Sequence, residues 1–337
     1  MKCFDPLYNT MPKVELHCHL EGSIRTTTLY EIARESGLPL PAENVDQLEP
    51  FVRVYEQRDD LQSVLNAFAL AQNSFTSPAA VERIAYELFE DAARQNIRLL
   101  EVRYSPDWAF SRHQLNWDAA LEGILRARER AQAQWGMAIG LIAITSRSRG
   151  VESCKRTVDW AIRHRDVLCG FDLADGEREH PIGEFSREVL RVRDAGLKIT
   201  VHSGEDTPAS YVVDTIRGVN PERIGHGIHI IEDDAAIEMV KEHGITLEVN
   251  PWSNYLTHSV RRIEDHPLKR LFDRGVKVTI NSDDPELLNT NLNNEYRLAH
   301  EVLGMSLEEI ATCNRYALEA SFLPDETKRA VMEQWFS

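Results

Sequence analysis

Ile97 to Tyr104 reads IRLLEVRY, Trp117 to Gln134 reads WDAALEGILRARERAQAQ, and Met137 to Thr145 reads MAIGLIAIT. The first and third are short runs rich in Val, Ile and Leu; the second carries apolar residues at helical spacing. Runs without strict polar alternation suit strands covered on both faces, so the unit reads as strand, helix, parallel strand. The alternation continues. Val167 to Leu173, Leu197 to Val201, Glu222 to Ile224, Ile245 to Val249 and Val276 to Ile280 read as strands, and Val151 to Arg165 and Asp233 to Glu242 as helices. Adding Val14 to Leu16 gives eight strand candidates. Eight strands, each followed by helix, in about 300 residues is the arithmetic of an α/β (β/α)8 barrel. An open doubly wound sheet is the alternative that periodicity leaves standing. Arg25 to Asn96, between strands one and two, reads mostly helical, best at Glu31 to Ser36, Asp60 to Asn73 and Ala79 to Arg94. An insertion that long in a βα loop belongs over the C-terminal face, as a lid or specificity element. With no Gly/Ser-rich linker, repeat or low-complexity tract, residues 1–337 are predicted to form one domain.

Composition narrows the partners. With 54 acidic residues against 38 Lys plus Arg, the formal charge is −16, the wrong sign for a nucleic acid or an anionic membrane. Five cysteines, an odd and scattered set without a Cys-x-x-Cys pair, argue against a disulfide framework and for a reducing compartment. Met1 to Thr10 holds no apolar stretch of signal-peptide length, and the run around Ala138 to Thr145 is far below the ~18 residues of a membrane span. A cytoplasmic location is expected.

Four polar groups fall at the C-terminal ends of predicted strands: His17-Cys18-His19, His202-Ser203-Gly204-Glu205, Gly225-His226-Gly227-Ile228-His229 and Asn281-Ser282-Asp283-Asp284-Pro285. That is where barrel enzymes keep their catalytic residues. On extended chain, His17 and His19 point the same way while Cys18 faces the packing side. Three imidazoles and one carboxylate (His17, His19, His202 and an Asp) suit Zn²⁺, with Fe²⁺ or Co²⁺ able to substitute, and leave room for water. Such a water becomes a nucleophile near neutral pH. Asp283 and Asp284 diverge, so one can ligate while the other faces the cavity. Glu205 lies three residues past His202, placed as a general acid/base that need not bind the metal. His226, between glycines, reads as a further base or electrostatic partner; His229 and Cys18 read as packing residues. No Lys lies between Lys155 and Lys198, so strand four offers no metal-bridging lysine and one metal is expected.

These residues resemble the adenosine/adenine deaminases of the metal-dependent amidohydrolase superfamily. The resemblance runs through MPKVELHCHLEGS (11–23), EVRYSP (101–106), GFDLA (170–174), HSGE (202–205), RIGHG (223–227) and NSDDP (281–285), in order along the chain. It implies that His17, His19, His202 and Asp283 hold one Zn²⁺ and that Glu205 shuttles a proton to purine N1. His226 then partners the attacking water, and Asp284 meets the water and purine N7. The implied reaction is hydrolysis at purine C6, converting adenosine or deoxyadenosine to inosine-type product plus ammonia, with a small purine and water as the only partners. Two departures leave the substrate open. Glu21 stands where adenosine deaminases usually have Asp to meet the ribose 5′-hydroxyl, and Asp175 stands at a glycine whose N–H is implied to contact purine N3. Free adenine, methylthioadenosine or aminodeoxyfutalosine are the alternatives, with another mononuclear metallohydrolase behind them.

Overall fold

A computed structural model describes residues 2–65 and 68–336. Eight parallel strands form one sheet in sequential order: β1 Lys13–His19, β2 Ile97–Tyr104, β3 Ala138–Ser146, β4 Gly170–Ala174, β5 Lys198–Ser203, β6 Arg223–His226, β7 Thr246–Val249 and β8 Val278–Ile280. The sheet comes round on itself. His19 N donates to Asp283 O (2.8 Å) and Asp283 N to His17 O (3.0 Å), pairing Cys18 with Asp283. The molecule is therefore a (β/α)8 barrel, not an open sheet.

The strands are buried on both faces, yet they alternate in chemistry. Val102, Phe171, Leu173, Ile199, Val201, Leu247 and Val249 face outward onto the helices and build the apolar core. Glu15, Glu101, Arg103, Asp172, Thr200, Arg223 and Glu248 lie at the other parity, fully buried or nearly so, and bond across the barrel. The polar period of two was present in the sequence, but inside runs short enough to read as uniformly apolar.

Two elements differ from the sequence expectation. Val167 to Cys169 do not start β4; Val167 N and Leu168 N both donate to His164 O and close the preceding helix, Gly150–Arg163. The helix expected over Asp60 to Asn73 ends early, in a 3₁₀ turn at Gln72–Ser74; before it Leu61–Leu65 and Phe68–Ala71 are helical, with residues 66 and 67 outside the described residues. The insertion also holds helices Thr26–Glu35, Val45–Val52 and Pro78–Arg94. Its segment 53–58 is stitched to the loops after β7 and β8: Val54 N donates to Leu287 O (2.7 Å) and Arg58 N to Leu256 O (2.9 Å), and Arg53 Nη2 reaches Glu286 Oε2 (2.7 Å). All five cysteines are free, and no described helix is long and apolar enough to cross a membrane.

Candidate metal centre and substrate cleft

The donors sit at the C-terminal ends of the strands, inside β1 and β5 and three residues beyond β8. β1 ends on His19, β5 carries His202, and Asp283 follows β8 at φ +62°. His17 Nε2 and His19 Nε2 lie 3.3 Å apart, and Asp283 Oδ1 is 3.1 Å from the first and 3.2 Å from the second. The His202 ring centroid is 4.6 Å from that of His17 and 5.3 Å from that of His19. Metal–ligand bonds of about 2.0–2.2 Å in a tetrahedron put neighbouring donor atoms about 3.3 Å apart. The donors present fit a divalent metal. His226 also lies within reach, since donor atoms of His17, His202, His226 and Asp283 all fall within 4.8 Å of one another. Its Nε2 is 3.8 Å from Asp283 Oδ2, farther than His17 and His19 lie from Oδ1.

The rings are aimed from below. His17 Nδ1–H donates to Glu248 Oε2 (2.8 Å) and His202 Nδ1–H to Asp172 Oδ2 (3.0 Å), which leaves Nε2 of each as the ligand atom. Arg103 ties the two carboxylates together, with Nη1 to Asp172 (2.8 Å) and Nη2 to Glu248 (2.7 Å). Arg223 continues the chain to Glu248 (2.6 Å) and Glu101 (2.7 Å). Burial opposes the charge on Glu248, but the two guanidiniums outweigh it and hold its carboxyl well below the usual range. Gly225 makes room for this packing: a Cβ there would meet His17 Cε1 at 3.0 Å and His202 Cγ at 3.3 Å.

Above the metal ligands the carboxyls behave oppositely. Burial drives Glu205 well above the ordinary range, and the charge of Asp283 pushes the same way. Asp284 is likewise raised by burial, then by Asp283, Glu21 and Glu205. Asp283 itself is held low because the His17 charge and hydrogen bond outweigh its burial. Two neighbours in sequence thus differ: the Asp283 carboxyl is held low beside the imidazoles, and the Asp284 carboxyl on the cavity wall is raised. Glu205 is placed by Glu177, whose carboxylate accepts from Gly204 N (2.8 Å) and from the Ser203 and Thr207 hydroxyls. His226 Nε2 is 3.5 Å from Glu205 Oε2.

The cleft over these groups has a volume of about 480 Å³ and is roofed by Leu61, Val64 and Phe68 of the insertion, with Trp108 beside them. Glu21 sits on its wall. Its Oε1 accepts from Ser105 N (2.7 Å), while Oε2 is buried with no partner. Asp175 also lines the cleft, at φ +79°. Its Oδ2 accepts from the Ser146 and Ser148 hydroxyls and its Oδ1 from Gly176 N (2.8 Å), so the side chain holds the left-handed turn that glycine would otherwise supply.

The structure brings together His17, His19, His202, Glu205, His226, Asp283 and Asp284, and puts Glu21 and Asp175 on the same cleft. His229 stays apart, paired to Glu232 (3.1 Å). The sequence reading gave no role to Arg103, Asp172 or Glu248. Their signal was the spacing of Glu101 and Arg103 on β2 and isolated acids in otherwise apolar strands.

The comparisons agree with this geometry. The adenosine deaminase family model matches residues 12–336. Adenosine deaminase of Erwinia tasmaniensis is 36% identical over 321 residues, 95% of this chain and 97% of its own. Among solved structures, adenine deaminase of Arthrobacter aurescens superposes with TM-score 0.90 at 27% identity, over 97% of this chain and 98% of that one. An amidohydrolase of Burkholderia ambifaria with bound Zn gives 0.90 at 26%, over 100% and 93%. The Arabidopsis N6-mAMP deaminase gives 0.85 at 28%, over 98% and 99%. On the strength of a family model spanning nearly all its length and a relative matched end to end, the chain belongs to the adenosine deaminase family.

Proposed function

We propose that this protein hydrolyses the C6 amino group of an unphosphorylated aminopurine nucleoside, taking adenosine or deoxyadenosine plus water to the 6-oxo nucleoside plus ammonia. His17, His19, His202 and Asp283 would hold one zinc ion, which when bound polarises water for attack. The observation that carries the reading is the place of Glu205, a buried carboxyl beside those donors, 3.5 Å from His226, whose burial favours the protonated form. Attack at C6 requires the ring to accept electrons at N1, and Glu205 can deliver the proton that N1 needs. Asp284, also raised and with a buried Oδ1 that has no partner, can donate to the N7 lone pair and fix the purine plane. His226 flanks the point of attack.

The cleft's charge supports a nucleoside over a nucleotide. Its described lining includes no Lys or Arg, so a phosphate would find no side-chain cation to pair with. The unpartnered Oε2 of Glu21 is open to a ribose hydroxyl, and bare adenine would offer its N9–H instead. Free adenine is the second reading, favoured by the likeness to the Arthrobacter enzyme.

The test is loss of the adenine absorbance band with adenine, adenosine, deoxyadenosine, methylthioadenosine, aminodeoxyfutalosine and AMP in parallel. Adenosine-type nucleosides should give the highest kcat/KM, with AMP lower by about 100-fold or more. Glu205→Gln should retain metal and fold while losing ~10²–10⁴ in rate. AMP turned over as fast as adenosine, or Glu205→Gln within threefold of the parent, would refute the assignment.

A further inference from the structure

His226 is held from behind by a chain of hydrogen bonds that runs in one direction. It starts at a group that can only donate: Leu268 N–H, the first residue of helix Leu268–Asp273, gives to His266 Nδ1 (3.1 Å). With Nδ1 accepting, the hydrogen of His266 is on Nε2, which faces Asn254 Oδ1 (3.2 Å). That contact fixes the Asn254 amide, whose Nδ2 then donates to His226 Nδ1 (2.9 Å). Asn250 Nδ2 lies 3.2 Å from the same nitrogen and 3.5 Å from Nε2, and also meets Glu248 O (3.4 Å), so the choice between the ring nitrogens falls to Asn254. His226, Asn250, Asn254 and His266 are all buried, so bulk water does not compete for these bonds. With the Asn254 amide donating to Nδ1, the ring has one place left for its hydrogen, Nε2, on the side of Glu205 and Asp283.

From this we infer that Asn254 and His266 are positioning residues that lock His226 as an Nε2–H donor, so that it holds the attacking oxygen by a hydrogen bond instead of taking its proton. The inference rests on the deaminase reading for the identity of that oxygen, but the locked tautomer does not. It narrows the sequence expectation, in which His226 could have been a base. Asn254 lies in helix Pro251–Leu256 and His266 ten residues beyond that helix's end; neither touches the metal donors.

The ring nitrogens decide the matter. In the Zn²⁺-loaded full chain carrying ¹⁵N-histidine, two-bond proton–nitrogen correlation distinguishes Nδ1–H from Nε2–H rings, and the signal lost in His226→Gln identifies His226. The expected result is Nε2–H in the parent. Asn254→Asp keeps the shape but turns the donor into an acceptor, so the hydrogen should move to Nδ1. With adenosine as substrate, kcat should fall about 10²–10⁴-fold while KM stays within about threefold. His266→Phe, which removes both ends of the relay, should mix the two tautomers and cost kcat less. An Nδ1–H ring in the parent would overturn the proposal, as would Asn254→Asp turning over within threefold of it. A parent inactive on every purine would end the deaminase reading, and the nitrogen spectra would still decide the relay.

Discussion

Glu21 has one oxygen bound and one waiting. Burial lifts its carboxyl from the ordinary 4.5 to about 7, against the pull of the Ser105 N–H. A folded state that binds the proton more tightly than the unfolded chain loses stability as pH rises between those values, by up to about 3 kcal/mol for a shift of this size. Glu21→Gln removes the titration. The metal-free variant should therefore match the parent near pH 4 and exceed it in unfolding free energy by pH 8, measured by urea denaturation at each pH. A difference that does not change with pH would show that Glu21 is solvated. At this scale the sequence displayed the ligands, because His17-Cys18-His19 and Asp283-Asp284 carry their spacing locally. It hid Glu248, Asp172, Asn254 and His266, each a single residue whose partner lies 12 to 231 positions away.

Turns between elements decide how close the two aspartates come to the rest of the site. The 3₁₀ turn Glu21–Ser23 follows β1, and Gly22 O accepts from Glu286 N (2.9 Å) and Leu287 N (3.0 Å). A Cβ on Gly22 would fall 1.9 Å from Asp284 Oδ1 and 2.4 Å from its Cβ. Gly22→Ala must therefore displace Asp284 while leaving the four ligand positions in place. The expected outcome is one zinc per chain by metal analysis with kcat/KM reduced at least about 10-fold, since small misplacements at a reacting centre are costly. Full activity would separate Asp284 from the chemistry. Strands and long helices were legible at this scale from their periods. The 3₁₀ ending at Gln72–Ser74 was not, because no local change of period marks it.

Inside the barrel, charge replaces the aliphatic layers that such interiors commonly carry. Arg103 is completely buried between Asp172 and Glu248, and each of those acids steadies a metal-site imidazole. Arg103→Met leaves buried carboxylates short of a counter-ion, which should cost about 3–5 kcal/mol. It should also weaken zinc affinity by about 10–100-fold through the misaimed rings. Denaturation of the metal-free chain and competitive chelator titration measure the two effects separately; an unchanged zinc affinity would detach the network from the site. The whole-molecule architecture was readable from eight strands in order, whereas the charged interior emerges only when β2, β4, β6 and β7 face one another.

The bonds that close the ring, His19 N to Asp283 O and Asp283 N to His17 O, are made by the same three residues that offer donors to the ion. Their sequence separation exceeds 260 residues, so a chain still emerging from the ribosome cannot assemble the site until its last strand has docked. An ion held by these three residues would add a second tie across the seam between the first strand and the segment after the eighth. Amide hydrogen exchange at His19 and Asp283 should be slow in the loaded protein and quicken selectively on chelation, while amides on the opposite wall, such as Leu173 and Val201, keep their protection.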